Sequence, residues 1–100
     1  MVRHVILWKI KGEYEGTKKE EIKLGVKNGL EALMGKVPGI VKIHVQIDSL
    51  ATSNADVMLY SVFEDERALK EYIAHPDHVF VADTFVRPFV ETRLCLDFEV

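Results

Sequence analysis

A single cysteine, Cys95, in 100 residues excludes a disulfide framework within the chain. Such usage fits a reducing compartment, so a cytoplasmic protein is expected. No stretch approaches the ~18 apolar residues that would mark a membrane span. The opening run Val5-Ile6-Leu7-Trp8 is too short for a signal peptide, and no small-residue cleavage site comes after it. A basic excess is also missing. Lys and Arg number 13 against 16 Asp and Glu, for a net charge of −3, which argues against a nucleic-acid binder. There is no G-x-S-x-G elbow, phosphate loop, dinucleotide fingerprint or Cys-x-x-Cys. No cofactor is therefore expected. What remains is an ordinary globular composition, 48% hydrophobic and 29% charged. The length allows one domain, residues 1–100. A domain of this size buries only ~60–65% of its unfolded-chain surface, so any large additional apolar face needs a partner.

The charge is unevenly spread. Residues 1–50 hold nine Lys/Arg against six Asp/Glu (+3), and residues 51–100 hold four against ten (−6). Lys18, Lys19, Lys23 and Lys27 fall in one helical stretch with Glu20 and Glu21 between them, which reads as a solvated helix face.

Hydrophobic periodicity divides the chain into six segments. Residues 3–10 read as a strand that is apolar on both faces in its middle. Thr17 and Glu20 have capping-box spacing, and a helix is expected from there to about Val37. Its stripe is Ile22, Val26, Leu30, Leu33, Met34 and Val37. Gly25 and Gly29 weaken that helix, and their spacing suggests close approach of another backbone. Pro38-Gly39 ends it. Residues 40–48 alternate, with Val41, Ile43, Val45 and Ile47 on one side. Residues 56–64 form a third strand, again apolar on both faces. Asp65 can cap a short helix with Leu69, Tyr72 and Ile73 on one side. Pro76 begins a second one over 76–86, presenting Val79, Ala82, Phe85 and Val86. Residues 89–99 alternate as a last strand.

The order strand, helix, strand, strand, helix (broken), strand is the split βαβ pattern of an α+β ferredoxin-like βαββαβ protomer with a four-stranded antiparallel sheet. In that pattern the first and third strands are central, and these are the two that read apolar on both faces. Two helices cover only one sheet face. The other face would expose Val5, Leu7, Val57 and Leu59, or their opposite-facing neighbours, and an open apolar face predicts an interface. A homodimer through the sheet face is the simplest arrangement.

The densest polar cluster is Tyr72 to His78. His75 and His78 are three apart, but Pro76 breaks the helix between them and no third ligand has matching spacing, so no metal is expected. His75-Pro76 reads as a helix terminator. His78 can point inward from the second short helix, where a neutral imidazole can act as a general base. Tyr72 lies on the inward stripe, and its hydroxyl needs a partner or can donate to a substrate oxygen. The alternative is a pair of core side chains satisfying each other. His4 begins the first strand on the face of Ile6 and Trp8 and could approach either. Cys95, between Arg93 and Asp97, reads as structural.

Several segments in order, Val2-Arg-His-Val-Ile-Leu-Trp-Lys-Ile-Lys11, Val37-Pro-Gly-Ile40, Ala55-Asp-Val-Met-Leu-Tyr-Ser-Val-Phe-Glu64, Tyr72-Ile-Ala-His-Pro-Asp-His78 and Arg93-Leu-Cys-Leu-Asp-Phe-Glu99, resemble the stress-responsive dimeric α/β barrel (Dabb) family. The resemblance covers essentially the whole chain. It implies a ferredoxin-like protomer whose sheet packs on its twin's to form a dimeric α/β barrel. A more distant resemblance to a plant member, olivetolic acid cyclase, implies His78 as a base removing a proton next to a carbonyl. It also implies Tyr72 as the group orienting that carbonyl and His4 as a further candidate. Ile6, Trp8, Val79, Ala82 and Phe85 would wall the ligand pocket. The second strand departs from the plant pattern, reading His44-Val-Gln-Ile-Asp48 where the plant relatives have Trp-Gly-Lys-Asp. Three readings are open: a binder of a small apolar or aromatic molecule, a cofactor-independent cyclase-like (aldol) or monooxygenase-like enzyme, and a structural stress-protective oligomer.

Overall fold

The computed structural model describes residues 1–100. The elements are β1 (Val2–Ile10), α1 (Gly16–Glu31), β2 (Ile40–Gln46), β3 (Val57–Phe63), α2 (Glu66–Ala74), α3 (Pro76–Val81) and β4 (Val90–Glu99). The sheet is fully antiparallel in the order β2-β3-β1-β4, with β3 and β1 central. This is the ferredoxin-like arrangement. No helix is long and apolar enough to cross a membrane.

The pleat sorts the side chains. Val2, His4, Ile6, Trp8 and Ile10 of β1 are buried on the helix side, with Val57, Leu59, Ser61 and Phe63 of β3 beside them. Ile22, Val26, Leu30, Leu33 and Val37 close the core from α1 and the turn after it. Met34, expected on that stripe, is exposed because α1 ends at Glu31 and the chain continues in turns. The capping box does not form. Glu15 is the N-cap, without a side-chain hydrogen bond. Asp65 does cap α2, accepting from the Ala68 N–H at 2.8 Å.

β2 departs from strict alternation at its start. The register slips between Ile40 and Lys42, so Ile40 is buried while Val41 faces solvent. Such a bulge sets two residues against one and re-aims the side chains beyond it. Gly39, at φ +88°, makes the turn into β2, and a Cβ there would meet the Ala68 Cβ at 2.6 Å. Glu31 ties α1 to β2. Its carboxylate accepts from Lys27 at 2.8 Å and from the Val45 N–H at 2.9 Å. Burial works to raise its pKa, but these donors outweigh burial and lower it.

The glycines of α1 admit side chains where a backbone neighbour is expected. A Cβ on Gly29 would lie 2.9 Å from Val81 Cγ1 and 3.2 Å from the Phe85 ring, and one on Gly25 would lie 3.3 Å from the same ring. Phe85 therefore lies over α1. The segment expected as one helix over 76–86 is α3 followed by a π-helical turn, Ala82–Val86, and a 3-10 turn, Arg87–Phe89. The widened turn keeps both Ala82 and Val86 buried, and Pro88, lacking an N–H, prevents the helix from continuing.

On the opposite sheet face lie Val5 and Leu7 of β1, Met58 and Tyr60 of β3, and Leu94, Leu96 and Phe98 of β4. Leu94 and Leu96 are each 64% exposed. Arg3 Nε donates to the Tyr60 hydroxyl at 2.8 Å, and Lys42 Nζ lies 5.7 Å from its ring centroid. Val57 and Leu59, candidates for this face from the sequence, are on the covered side, and their neighbours Met58 and Tyr60 take the open one.

Candidate functional site

Between the helices and the sheet lies a cavity of about 110 Å³. Ile6 and Trp8 line it from β1, Leu59 from β3, Leu30 from α1, and Ala82 and Val86 from the π-helical turn. Its polar lining is His4, His78, Arg87 and Arg93. Of the residues expected to wall a pocket, Ile6, Trp8 and Ala82 do so. Val79 and Phe85 do not, because the glycines of α1 draw Phe85 into a different contact.

His78 reaches the cavity because His75 splits the helical segment. The His75 Nδ1 accepts from the Asp77 N–H at 3.1 Å and so caps α3, beginning a new helix direction at Pro76. His78 Nδ1–H donates to the Ile73 carbonyl at 3.0 Å. In the neutral ring that bond leaves the lone pair on Nε2. Burial lowers the His78 pKa, and the positive charges of Arg87, His4 and Arg93 lower it further, against the opposing Ile73 carbonyl. A neutral imidazole with a free Nε2 is the form that accepts a proton.

Tyr72 packs against His78, ring centroids 4.3 Å apart, and lies 4.8 Å from Phe63 and 6.2 Å from His4 by the same measure. It is fully buried, and its hydroxyl has no hydrogen-bond partner. Burial raises its pKa. The alternative in which Tyr72 and His78 satisfy each other is thus not what forms. An unsatisfied buried hydroxyl costs ~1–3 kcal/mol.

His4 is buried, and its Nδ1–H donates to the Asp97 carboxylate, its cross-strand partner. Cys95 Sγ lies 3.7 Å from His4 Nδ1 and 3.5 Å from Asp97 Oδ1. Burial raises the Cys95 pKa and the adjacent Asp97 charge adds to the effect. Asp97, Arg87, Leu30 and Leu59 lie outside the set of site residues expected from the sequence. Asp97 escapes sequence reasoning because only the β1–β4 register sets residue 4 opposite residue 97.

The low His78 pKa has a measurable consequence. The unfolded chain's imidazole titrates near 6.5, above the folded value. Between the two, the unfolded state binds more protons, so stability rises with pH. The contribution is complete above about pH 6.5, falls as the pH drops, and levels off below the folded value. Glu31 and Asp56, whose pKa values are lowered from 4.5 and 3.8, add their own pH dependence only at more acid pH, below about their ordinary values. Urea unfolding of the His78→Gln variant is expected to show a flatter pH dependence across that window. Equal slopes in the two proteins would remove His78 as the source.

The model of the Stress Responsive A/B Barrel Domain, Dabb, matches residues 2–100. A dimeric ferredoxin-like protein of unknown function from Bacteroides fragilis is 29% identical, with 99% of this chain and 95% of that one covered and a TM-score of 0.93. An Arabidopsis thaliana protein is also 29% identical, with 100% and 95% covered and a TM-score of 0.74. A cofactor-independent oxygenase from Streptomyces nogalater shares the fold at 17% identity, 99% and 91% coverage and a TM-score of 0.75. No protein with a curated description matches the chain.

Proposed function

Because the chain belongs to the stress responsive A/B barrel domain family, we propose that it works as a homodimer holding a small apolar or aromatic molecule in the cavity between helices and sheet. The observation that carries this reading is the cavity itself, apolar on most sides with His4, His78, Arg87 and Arg93 among its lining residues. Its volume of about 110 Å³ compares with the ~150 Å³ engineered cavity that binds benzene. A single ring bearing a carbonyl, phenolate or carboxylate oxygen suits these dimensions and this positive lining. Tyr72 itself does not line the cavity; it packs behind His78, whose ring does. The dimeric Bacteroides fragilis relative and the open apolar sheet face support the homodimer.

A second reading rests on His78. A desolvated, neutral imidazole with Nε2 free is suited to removing a proton next to a carbonyl, and a positioned base contributes ~10²–10⁴-fold to such a step. This supports a cofactor-independent cyclase-like (aldol) or monooxygenase-like enzyme. The cavity is too small for a long acyl chain. Such a tail would need the neighbouring groove of about 450 Å³ between α2 and β4, which shares Ile73 with the cavity.

A thermal-shift screen of ring-sized phenols, aryl ketones and aromatic carboxylates tests the binding reading. A ligand at 100 times its Kd adds about 2.7 kcal/mol to the folded state and raises the melting temperature. Tyr72→Phe is expected to leave the ligand-free protein as stable or more so, because the unpaired hydroxyl is gone, and to change binding little, because Tyr72 does not line the cavity. His78→Ala is expected to weaken binding by about tenfold or more, the value of one hydrogen bond. Unchanged affinity in His78→Ala would sink the site. Unchanged turnover of a bound substrate in His78→Ala would sink the general-base role.

A further inference from the structure

On the β4 side of His4, three side chains of different chemistry converge. His4 Nδ1, Cys95 Sγ and Asp97 Oδ1 all lie within 4.8 Å of one another. The strand geometry produces this. Residues 95 and 97 share a face by the two-residue period of β4, residue 97 stands opposite residue 4, and residue 95 is its diagonal neighbour. We propose that His4, Cys95 and Asp97 form a binding site for a borderline-soft divalent cation of the zinc type, with a fourth position left open.

The distances carry the proposal. Zinc bonds of about 2.3 Å to sulfur and 2.0–2.1 Å to nitrogen and oxygen, at tetrahedral angles, place sulfur about 3.5–3.6 Å from each of the other two donors. Cys95 Sγ stands 3.7 Å from His4 Nδ1 and 3.5 Å from Asp97 Oδ1. Only the His4–Asp97 pair, in direct hydrogen-bond contact, has to open to admit the ion between them. The donor set of one thiolate, one imidazole and one carboxylate selects zinc over magnesium or calcium, which take oxygen ligands. Binding expels the thiol proton to solvent and shifts the imidazole proton from Nδ1 to Nε2, so the ring ligates in its neutral form, and no electron moves.

Access and rigidity also suit a metal. Asp97 has a 40% exposed side chain and lines the groove between α2 and β4, while the His4 side chain is 3% exposed and held in the central strand. One ligand is thus fixed by the core, and the others come from an edge strand open to solvent. Water or an oxygen of a ligand would complete the tetrahedron at the fourth position. The site shares His4 with the cavity but does not use the His78 lone pair, and its test reads metal binding directly, so it stands whether or not the ligand-binding reading holds.

Titration of the full-length protein with Co²⁺ in a phosphine-reduced, chelator-free buffer tests this. Cys95 is the only cysteine, so a thiolate-to-cobalt charge-transfer band in the near ultraviolet reports on this site alone. The expected result is one Co²⁺ per chain with that band, displacement by Zn²⁺, and a higher melting temperature with Zn²⁺. Cys95→Ser is expected to abolish the band. Asp97→Asn is expected to keep it but bind at least about tenfold more weakly. Both positions are exposed, and far-ultraviolet circular dichroism verifies that the variants fold. Absence of the band, one Co²⁺ per two chains, or unaltered affinity in Asp97→Asn would each overturn the proposal.

Discussion

Replacing Leu94 and Leu96 together by glutamate is expected to turn a dimer into a folded monomer. Both side chains stand on the open sheet face, opposite Leu7 and Val5 of β1 in the register, and are 64% exposed within the protomer. Burying a leucine contributes ~1.5–3 kcal/mol. In a two-fold dimer each substitution acts twice, so the double variant loses four buried leucines and places four carboxylates in an apolar interface. The expected loss is well above about 4 kcal/mol, or more than about 10³-fold in Kd. Sedimentation velocity at micromolar concentration measures it. The helix-side core holds neither residue, so the far-ultraviolet circular dichroism of the monomer is expected to match that of the dimer. A wild-type protein that sediments as a monomer, or a double variant that remains a dimer, would place the interface elsewhere.

The second large effect lies inside the protomer. Phe63→Ala is expected to cost ~3–5 kcal/mol, the range for truncating a buried phenylalanine. Phe63 is completely buried at the end of β3, and its ring lies 4.8 Å from Tyr72 and 6.2 Å from His4 between centroids. A domain of this size has ~5–15 kcal/mol of stability in all, so the variant unfolds at a much lower urea concentration. The ring also supports Tyr72, and through it His78, so the affinity for any ligand the proposed cavity takes is expected to fall with stability. Phe80→Ala provides the contrast. Phe80 is 63% exposed, and its loss is expected to stay within about 0.5 kcal/mol. A Phe63→Ala loss below about 1 kcal/mol would mean that the core relaxes to fill the space.

Much of the fold is legible in the sequence because periodicity reports burial directly. β1 and β3 read apolar on both faces because they are central, and β4 alternates because one side of it lies on the open face. The departures have local causes. The α1 stripe reads on to Met34 because turns after a helix can keep burying residues at similar spacing, as Leu33 and Val37 do. β2 reads as a strict alternation because a bulge leaves no mark in side-chain chemistry. Residues 76–86 read as one helix because a π-helical turn keeps nearly the same stripe.

The candidate site is legible in part. Tyr72, His75, Pro76 and His78 lie within seven residues of chain, and local rules speak to them: capping at His75, the break at Pro76, the inward turn of His78. Phe85 escapes such rules, because nothing local says that Gly25 and Gly29 open a slot for its ring. The partners of His4 lie 91 and 93 positions away in the chain.

The sequence by itself determined the order of elements, the central pair of strands and the existence of an apolar surplus, since all three rest on patterns a few residues long. Only the tertiary structure decided which residues occupy that surplus face, that the Tyr72 hydroxyl is left unpaired, and that Cys95 and Asp97 meet His4. Those outcomes depend on strand register and on the depth of packing between α1 and the segment after α3. Register and packing depth arise from contacts between distant parts of the chain, where a shift of one residue reverses every side chain.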